Sequence, residues 1–350
     1  MTKSDVKDCL EQGAGSSGST CKSMIAWLCT FQPLLHFWEN VPDIVASSNF
    51  QNLQWLMHAL RKAGYACAYG KFRSINYGHP SKRERAYGVC LNASKLGLDM
   101  LQATHLAQKV IDFAQSVFGQ VAGPVPLRSI LLPDKSEWVQ ARLHQLQETK
   151  AKDLESKSLD TSWRKKTSGM CTAHGINYST LVAPPKISGS DFYQALTTMQ
   201  QHSIAFHIKA NKDPVVSMDI SQMVDRIKPS TSEEALDTVT PEGRIVLYSP
   251  LVPEFRCLVG YESMRLIGVP DEVLDEFKSF GHGLDLAAID KLYYDLGGNA
   301  FSGGVILALI MSSLLHIDAE YWIRETPKKA SSSSSKTEEV EVDDVDNFIF

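Results

Sequence analysis

The sequence has no C-x-x-C pair among its seven cysteines, and seven is an odd count. That excludes the usual spacing of a structural zinc site, argues against a disulfide framework, and fits a reducing compartment. It also lacks a long hydrophobic run. The longest, residues 304–315, falls well short of the ~20 apolar residues that a membrane span requires, and it reads as a buried helix. The amino terminus, Met1-Thr2-Lys3-Ser4-Asp5-Val6-Lys7-Asp8, has no apolar core of a signal peptide. A soluble, intracellular protein is expected, nuclear if the source is eukaryotic. Charge of one sign is scarce as well. A net charge of -5 over 350 residues argues against binding polyanions with the whole surface but leaves room for a local basic cleft. No internal repeat is visible.

What is present is ordinary globular material, 43% hydrophobic and 21% charged, long enough for two domains or one domain with an insertion. Residues 1–22 are polar, with a Gly/Ser stretch at 13–20 expected as a flexible loop, and a short amphipathic helix is expected at 23–29. Residues 34–38 form a compact apolar run of the kind seen in strands buried on both faces of a parallel sheet. Helical spacing follows over 50–60 and stops at Gly64, then strands are expected at 65–72 and 86–91. Strand, helix, strand, turn, strand is a sheet fragment with one crossover. Further helices are expected at 96–118, 136–159, 190–201, 261–277, 281–296 and 299–316, with strands at 215–220 and 244–248. The resulting division is 23–92 and 251–326 for the sheet-bearing domain and 93–250 for an insertion. Residues 327–350, a serine tract followed by acidic residues, cannot bury a core and are expected to be disordered.

Two polar islands interrupt the apolar pattern: Trp38-Glu39-Asn40-Val41 and Pro80-Ser81-Lys82-Arg83-Glu84-Arg85. Singly, each has a plain reading. Glu-Asn at a strand end caps a loop, Arg-Glu-Arg is a solvated charge cluster, and Gly298-Asn299 starts a helix. Cys67, Cys90 and His36 read as core residues. In order, however, four pieces coincide. Phe37-Trp38-Glu39-Asn40-Val41 resembles the E-N-V motif of the DNA cytosine-5 methyltransferases, and the stretch from Tyr77 to Tyr87 resembles their Y-G-x-P-Q-x-R-x-R motif. Tyr261 to Pro270 resembles the E-x-x-R-L-x-G-F-P segment, and Gly298-Asn299-Ala300-Phe301-Ser302 resembles the closing G-N-A motif.

The resemblance implies an α/β fold: part of a class I S-adenosylmethionine-dependent (Rossmann-like) methyltransferase, interrupted by a target-recognition domain. It implies methyl transfer from S-adenosylmethionine to carbon 5 of a cytosine flipped out of DNA. A cysteine thiolate adds to ring carbon 6, and a carboxyl group at ring nitrogen 3 offsets the charge that develops there. By resemblance that carboxyl is Glu39. Arg83 and Arg85 match the donors toward the carbonyl oxygen at position 2, and Asn299 and Ala300 match the wall of the methyl-donor site at the start of the final helix. Arg164, Lys165 and Lys166, in an irregular basic connection, are candidates for phosphate contact.

The family pattern is also incomplete. No F-x-G-x-G donor loop, no acidic ribose partner and no proline-cysteine nucleophile is found, and Ser81 stands where glutamine is usual. Cys9 sits beside Asp8 and Glu11, which disfavour a thiolate. Met1 is expected to lie just behind the missing nucleophile, leaving half a sheet with an exposed central strand. Three readings stay open: a polypeptide completed by a second chain that brings donor loop and nucleophile, a catalytically inactive DNA-binding pseudoenzyme, and a truncated enzyme.

Overall fold

The computed structural model of the chain describes residues 10, 15–120, 123–155, 162–280 and 283–318; the acidic tail and Cys9 lie outside them. Helix α1 (Gly15–Phe31) begins inside the stretch expected as a flexible loop. Its Gly/Ser start is poor helix material, but Leu28 is fully buried, with Met24 and Ile25 packed beside it, and tertiary packing decides the outcome. The helix ends where Gln32 takes a left-handed φ of 47° and Pro33 follows.

Strands β1 (Leu35–Asn40), β2 (Tyr65–Arg73) and β3 (Glu84–Asn92) form a sheet in the order β1-β3-β2, with β3 antiparallel to both neighbours. Helix α2 (Phe50–Lys62) connects β1 to β2, and Gly64, at φ +88°, closes it. The expectation of a doubly buried β1 in a parallel sheet is corrected. Among the described residues β1 is an edge strand, antiparallel to its one partner and half-buried except at Trp38. The strand buried on both faces is β3, from Ala86 to Asn92. Gly88 is required there because the Trp38 indole lies across it; a Cβ would stand 2.0 Å from the ring. Cys67 and Cys90, expected as separate core residues, face each other on β2 and β3 and are joined as a disulfide.

Helix α3 (Met100–Ser116), started by an Asp99–Gln102 capping box, lays Ala107, Val110, Ile111 and Ala114 on the first sheet. The boundary expected at 93 therefore falls inside the sheet domain, and the insertion begins after α3. It contains α4 (Glu137–Glu155), α5 (Ser162–Ala173), α6 (Asp191–Ala195), α7 (Thr198–Ala210) and a small antiparallel sheet of β4 (Ser217–Asp219), β5 (Ile245–Leu247) and β6 (Arg256–Cys257). The single helix expected at 190–201 is two, because Thr197 and Gln200 form a capping box that starts α7.

Helices α8 (Gly260–Leu266), α9 (Asp271–Phe280) and α10 (Leu286–Asn299) follow. Through Tyr261, Met264, Leu274, Ile289 and Tyr293 they pack onto the insertion's core. The return to the first sheet is made by α11 (Gly303–His316), bent 47° from α10. Alternation along the strands then gives three layers. Leu35, Phe37, Tyr87, Val89 and Leu91 meet α3 and α11 on one face, while Trp38, Ala86 and Cys90 meet α1 and α2 on the other. No single helix among the described residues is long and apolar enough to cross a membrane.

Candidate active site

Both polar islands arrive at one end of the first sheet. Glu39 and Tyr87 are cross-strand partners, and by the period of two Arg85 shares their face, toward α3 and α11. Arg85 Nε stands 3.0 Å from Glu39 Oε1, and Arg83 Nη2 stands 3.8 Å from the same oxygen. Burial pushes the Glu39 carboxyl above its ordinary range, outweighing the downward pull of Arg85 and Arg83. Despite the short ion-pair distance, Glu39 Oε1 has no hydrogen bond of acceptable geometry.

Arg83, 2% exposed, is committed elsewhere. Its Nη1 donates to Gly298 O at 2.9 Å and Val239 O at 3.4 Å, and its Nη2 donates to Ala300 O at 2.8 Å. Burial, with Arg85 nearby, draws its pKa down to about 10, so it stays cationic at neutral pH. Tyr87 OH accepts the Ser302 N–H at 3.0 Å, and burial raises its own pKa to about 12. Glu39 Oε1, Arg83 Nε and Ser302 Oγ remain buried with their hydrogen bonds unmade. Such groups cost about 1–3 kcal/mol each when left alone, and here they gather at β1's end and the break before α11, with Glu39 offset by its ion pair to Arg85.

The segment leading into β3 is joined to the insertion. Lys82 N donates to Leu236 O at 2.8 Å, and Leu236 N donates to Pro80 O at 2.9 Å. His79 Nε2 accepts the Gly304 N–H at 2.8 Å, fastening the same segment to the start of α11.

The sequence model of the C-5 cytosine-specific DNA methylases matches residues 12–312. The chain belongs to this family. Its fold is the α/β fold of the S-adenosylmethionine-dependent methyltransferases. Comparison with the curated proteins gives no match. Among solved structures the chain is similar to the Entamoeba histolytica methyltransferase EhMeth, at 14% identity over 87% of this chain and 74% of that one, TM-score 0.41. It is also similar to the S. pombe Dnmt2 methyltransferase, at 15% identity over 81% and 65%, TM-score 0.37. A third is a putative DNA modification methyltransferase encoded within an E. coli prophage, at 15% identity over 85% and 74%, TM-score 0.41.

The structure places the chain's remaining candidates differently from expectation. Asn299 ends α10 and Ala300 lies in the bend, whereas α11 starts after Ser302. Gly297 and Gly298 do not stop α10, because they are there for close approach: a Cβ would stand 2.5 Å from Ser263 Oγ and 2.3 Å from Pro241 N. Asn299 is exposed, and the Ala300 carbonyl is taken by Arg83. These two residues do not make a donor pocket by themselves. Arg164, Lys165 and Lys166 are on helix α5, not in an irregular connection, because Thr167 and Cys171 anchor it in the insertion's core. Arg164 lies over the Trp163 ring at 5.3 Å, Lys166 is 3.7 Å from Asp225, and all three side chains are exposed. Cys21 and Cys29 lie on α1, Cys29 exposed, and neither follows a proline.

Sequence reasoning missed the pin between the insertion and α8. Arg256 and Glu262, 1% and 0% exposed, pair through two hydrogen bonds of 2.8 and 3.0 Å. Arg256 also binds Asp134 and Leu132 O, and Glu262 accepts Leu132 N and Val259 N. Arg265, the arginine of the same motif, is bonded to Asp271 and Ile130 O. The E-x-x-R spacing sets Glu262 and Arg265 on one face of α8, but Arg256, on β6, carries no local signal for its pairing with Glu262.

Proposed function

We propose that this chain holds the target cytosine, through Glu39 and Arg85, in S-adenosylmethionine-dependent methyl transfer to carbon 5 of cytosine in DNA. The observation that carries the reading is Glu39: a carboxyl group at a strand end, kept above its ordinary pKa by burial and beside a guanidinium. Ring nitrogen 3 of cytosine is an acceptor. A neutral carboxyl can donate to it, whereas a carboxylate would repel it. When a thiolate adds to carbon 6, electron density moves onto nitrogen 3 and the oxygen at position 2. A proton held by Glu39 offsets the first, and the Arg85 cation stabilises the second. Arg83, its donors engaged by carbonyls, fixes the neighbouring main chain and keeps Nε for the base. S-adenosylmethionine supplies the electrophilic methyl group; Asn299 and Ala300 are at most one edge of its site, and no cysteine of this chain is assigned as nucleophile. Arg164 and Lys165, on an exposed face of α5, suit phosphate contact.

The test is transfer of label from S-adenosylmethionine to cytosine-containing duplex DNA, with the chain alone and with a family polypeptide bearing the donor loop. Transfer is expected in at least one arm, and Glu39→Gln should lower it by roughly 100-fold or more. Equal rates for Glu39→Gln, or salt-dependent DNA binding with no transfer in either arm, would overturn the catalytic reading.

A further inference from the structure

We propose that His79 is a positioning residue that holds the bend between α10 and α11 in its neutral form and releases it when protonated. The bend is fastened at alternate residues. Ala300 O accepts Arg83 Nη2, Ser302 N donates to Tyr87 OH, and Gly304 N donates to His79 Nε2. Tyr87 is the cross-strand partner of Glu39, so a shift of the bend reaches the end of the sheet where Glu39 and Arg85 stand.

The Gly304 N–H is among the first donors of α11, which find no partner inside the helix. Ser302 stands at the N-cap, yet its side chain makes no capping bond and its Oγ is buried without a partner. The imidazole, from the turn before β3, takes over that task. Its neighbours are shaped to it. A Cβ on Gly268, at φ +91°, would stand 2.2 Å from His79 Cε1, and one on Gly304 would stand 2.7 Å from Nε2. The main chain beneath the ring is fixed as well: His79 N donates to Ser74 O at 3.3 Å, and His79 O accepts Ser81 N at 2.8 Å.

An Nε2 that accepts leaves the ring proton on Nδ1. A second proton turns Nε2 into a donor facing a donor and sets a cation at the positive end of α11. Among the described residues around the ring, no carboxylate is free to receive that cation. On its own turn, Tyr77 donates to Ala114 O. At the corner between α8 and α9, Asp271 is bound by Arg265 through two hydrogen bonds, and in the facing 127–130 turn Arg128 pairs with Glu233. The first turn of α11 carries no charge. Burial draws the His79 pKa below its ordinary value of 6.5. The clasp is therefore whole above that pH and is lost as pH falls through the folded value.

Amide hydrogen exchange of the full chain from about pH 7.5 to about pH 5, corrected for intrinsic rates, tests this. Protection of Gly304 should fall roughly 10-fold in the wild type. In His79→Gln the amide oxygen lies as many bonds from the main chain as Nε2 and does not titrate, so protection should hold at every pH. His79→Leu should lack it throughout. The ring-nitrogen spectrum of the wild type, which needs no variant, should place the proton on Nδ1 at neutral pH. Protection that ignores pH in the wild type, a fall shared by His79→Gln, or a proton on Nε2 would overturn the proposal. Methyl transfer rests on the function proposed above, and exchange reads the clasp whether or not transfer occurs. Where transfer is seen, the wild-type rate should drop relative to His79→Gln over the same range, and a constant ratio would overturn the positioning role.

Discussion

Replacing Glu262 with alanine should destabilise the chain more than any surface change. Glu262 Oε1 accepts Arg256 Nη2 at 2.8 Å and Leu132 N at 2.7 Å; Oε2 accepts Arg256 Nη1 at 3.0 Å and Val259 N at 3.1 Å. Removing the carboxylate strands two main-chain donors and leaves a guanidinium that is 1% exposed with Asp134 as its remaining charged partner. Burial alone would lower the Arg256 pKa, but Glu262 and Asp134 outweigh it and hold it above the ordinary value. Breaking one side of such a pair costs about 3–5 kcal/mol, a large part of a typical domain's stability. Urea titration followed by the fluorescence of Trp138, stacked 5.5 Å from Tyr293, reads this directly. Glu262→Gln should cost less, since its amide oxygen still accepts hydrogen bonds from Arg256 and a main-chain N–H. The double variant Arg256→Met with Glu262→Leu should also cost less than Glu262→Ala, because the buried guanidinium goes with its carboxylate and the charge left over, Asp134, is 21% exposed to water. A loss below about 1 kcal/mol for Glu262→Ala, judged against the usual cost of a broken buried pair, would refute the claim that this pair pins the insertion to α8.

Gly88→Ala should lower the melting temperature by an overpacking cost of about 1–3 kcal/mol, because the Trp38 ring must leave β3, and a red shift in tryptophan emission should accompany it; an unchanged melting point would be contrary to the geometry. Burial raises the Asp290 pKa to about 6, Arg142 at 3.8 Å offsetting only part of the effect. An acid whose folded pKa is raised favours the folded state at low pH and loses that contribution as pH rises. Between pH 3 and 7 the wild type should therefore lose roughly 3 kcal/mol relative to Asp290→Asn, and parallel stability curves for the two would show that the folded state does not hold the proton.

The strands of the first sheet and the helix between β1 and β2 were legible because their apolar periods are strong and Gly64 supplies a stop. What the sequence concealed was set by contacts at a distance. The Gly/Ser start of α1 is helical because of Leu28's burial, and β1 is an edge because of the strand order, which no local pattern encodes. Gly297 and Gly298 look like a helix stop, yet they admit Ser263 and Pro241 to the surface of α10. Thr197-x-x-Gln200 was a readable capping signal, overlooked inside a run that seemed continuous. For the site, residue types and order named Glu39, Arg83 and Arg85, but only the fold separates Arg85, paired with Glu39, from Arg83, bound to three carbonyls.

Those three carbonyls have a consequence for variation. Arg83 grips the main chain at Val239, Gly298 and Ala300, and main-chain oxygens are the same whatever side chain is attached. The joint between sheet, insertion and α10 thus makes no demand on identity at 239 or 300, while Gly298 answers to the neighbouring backbone alone. The surface of the insertion could therefore change without disturbing the end of the sheet where Glu39 and Arg85 stand. One arginine keeps the hold through main-chain atoms, whatever else fixes Val239 in its core and Gly298 against Pro241.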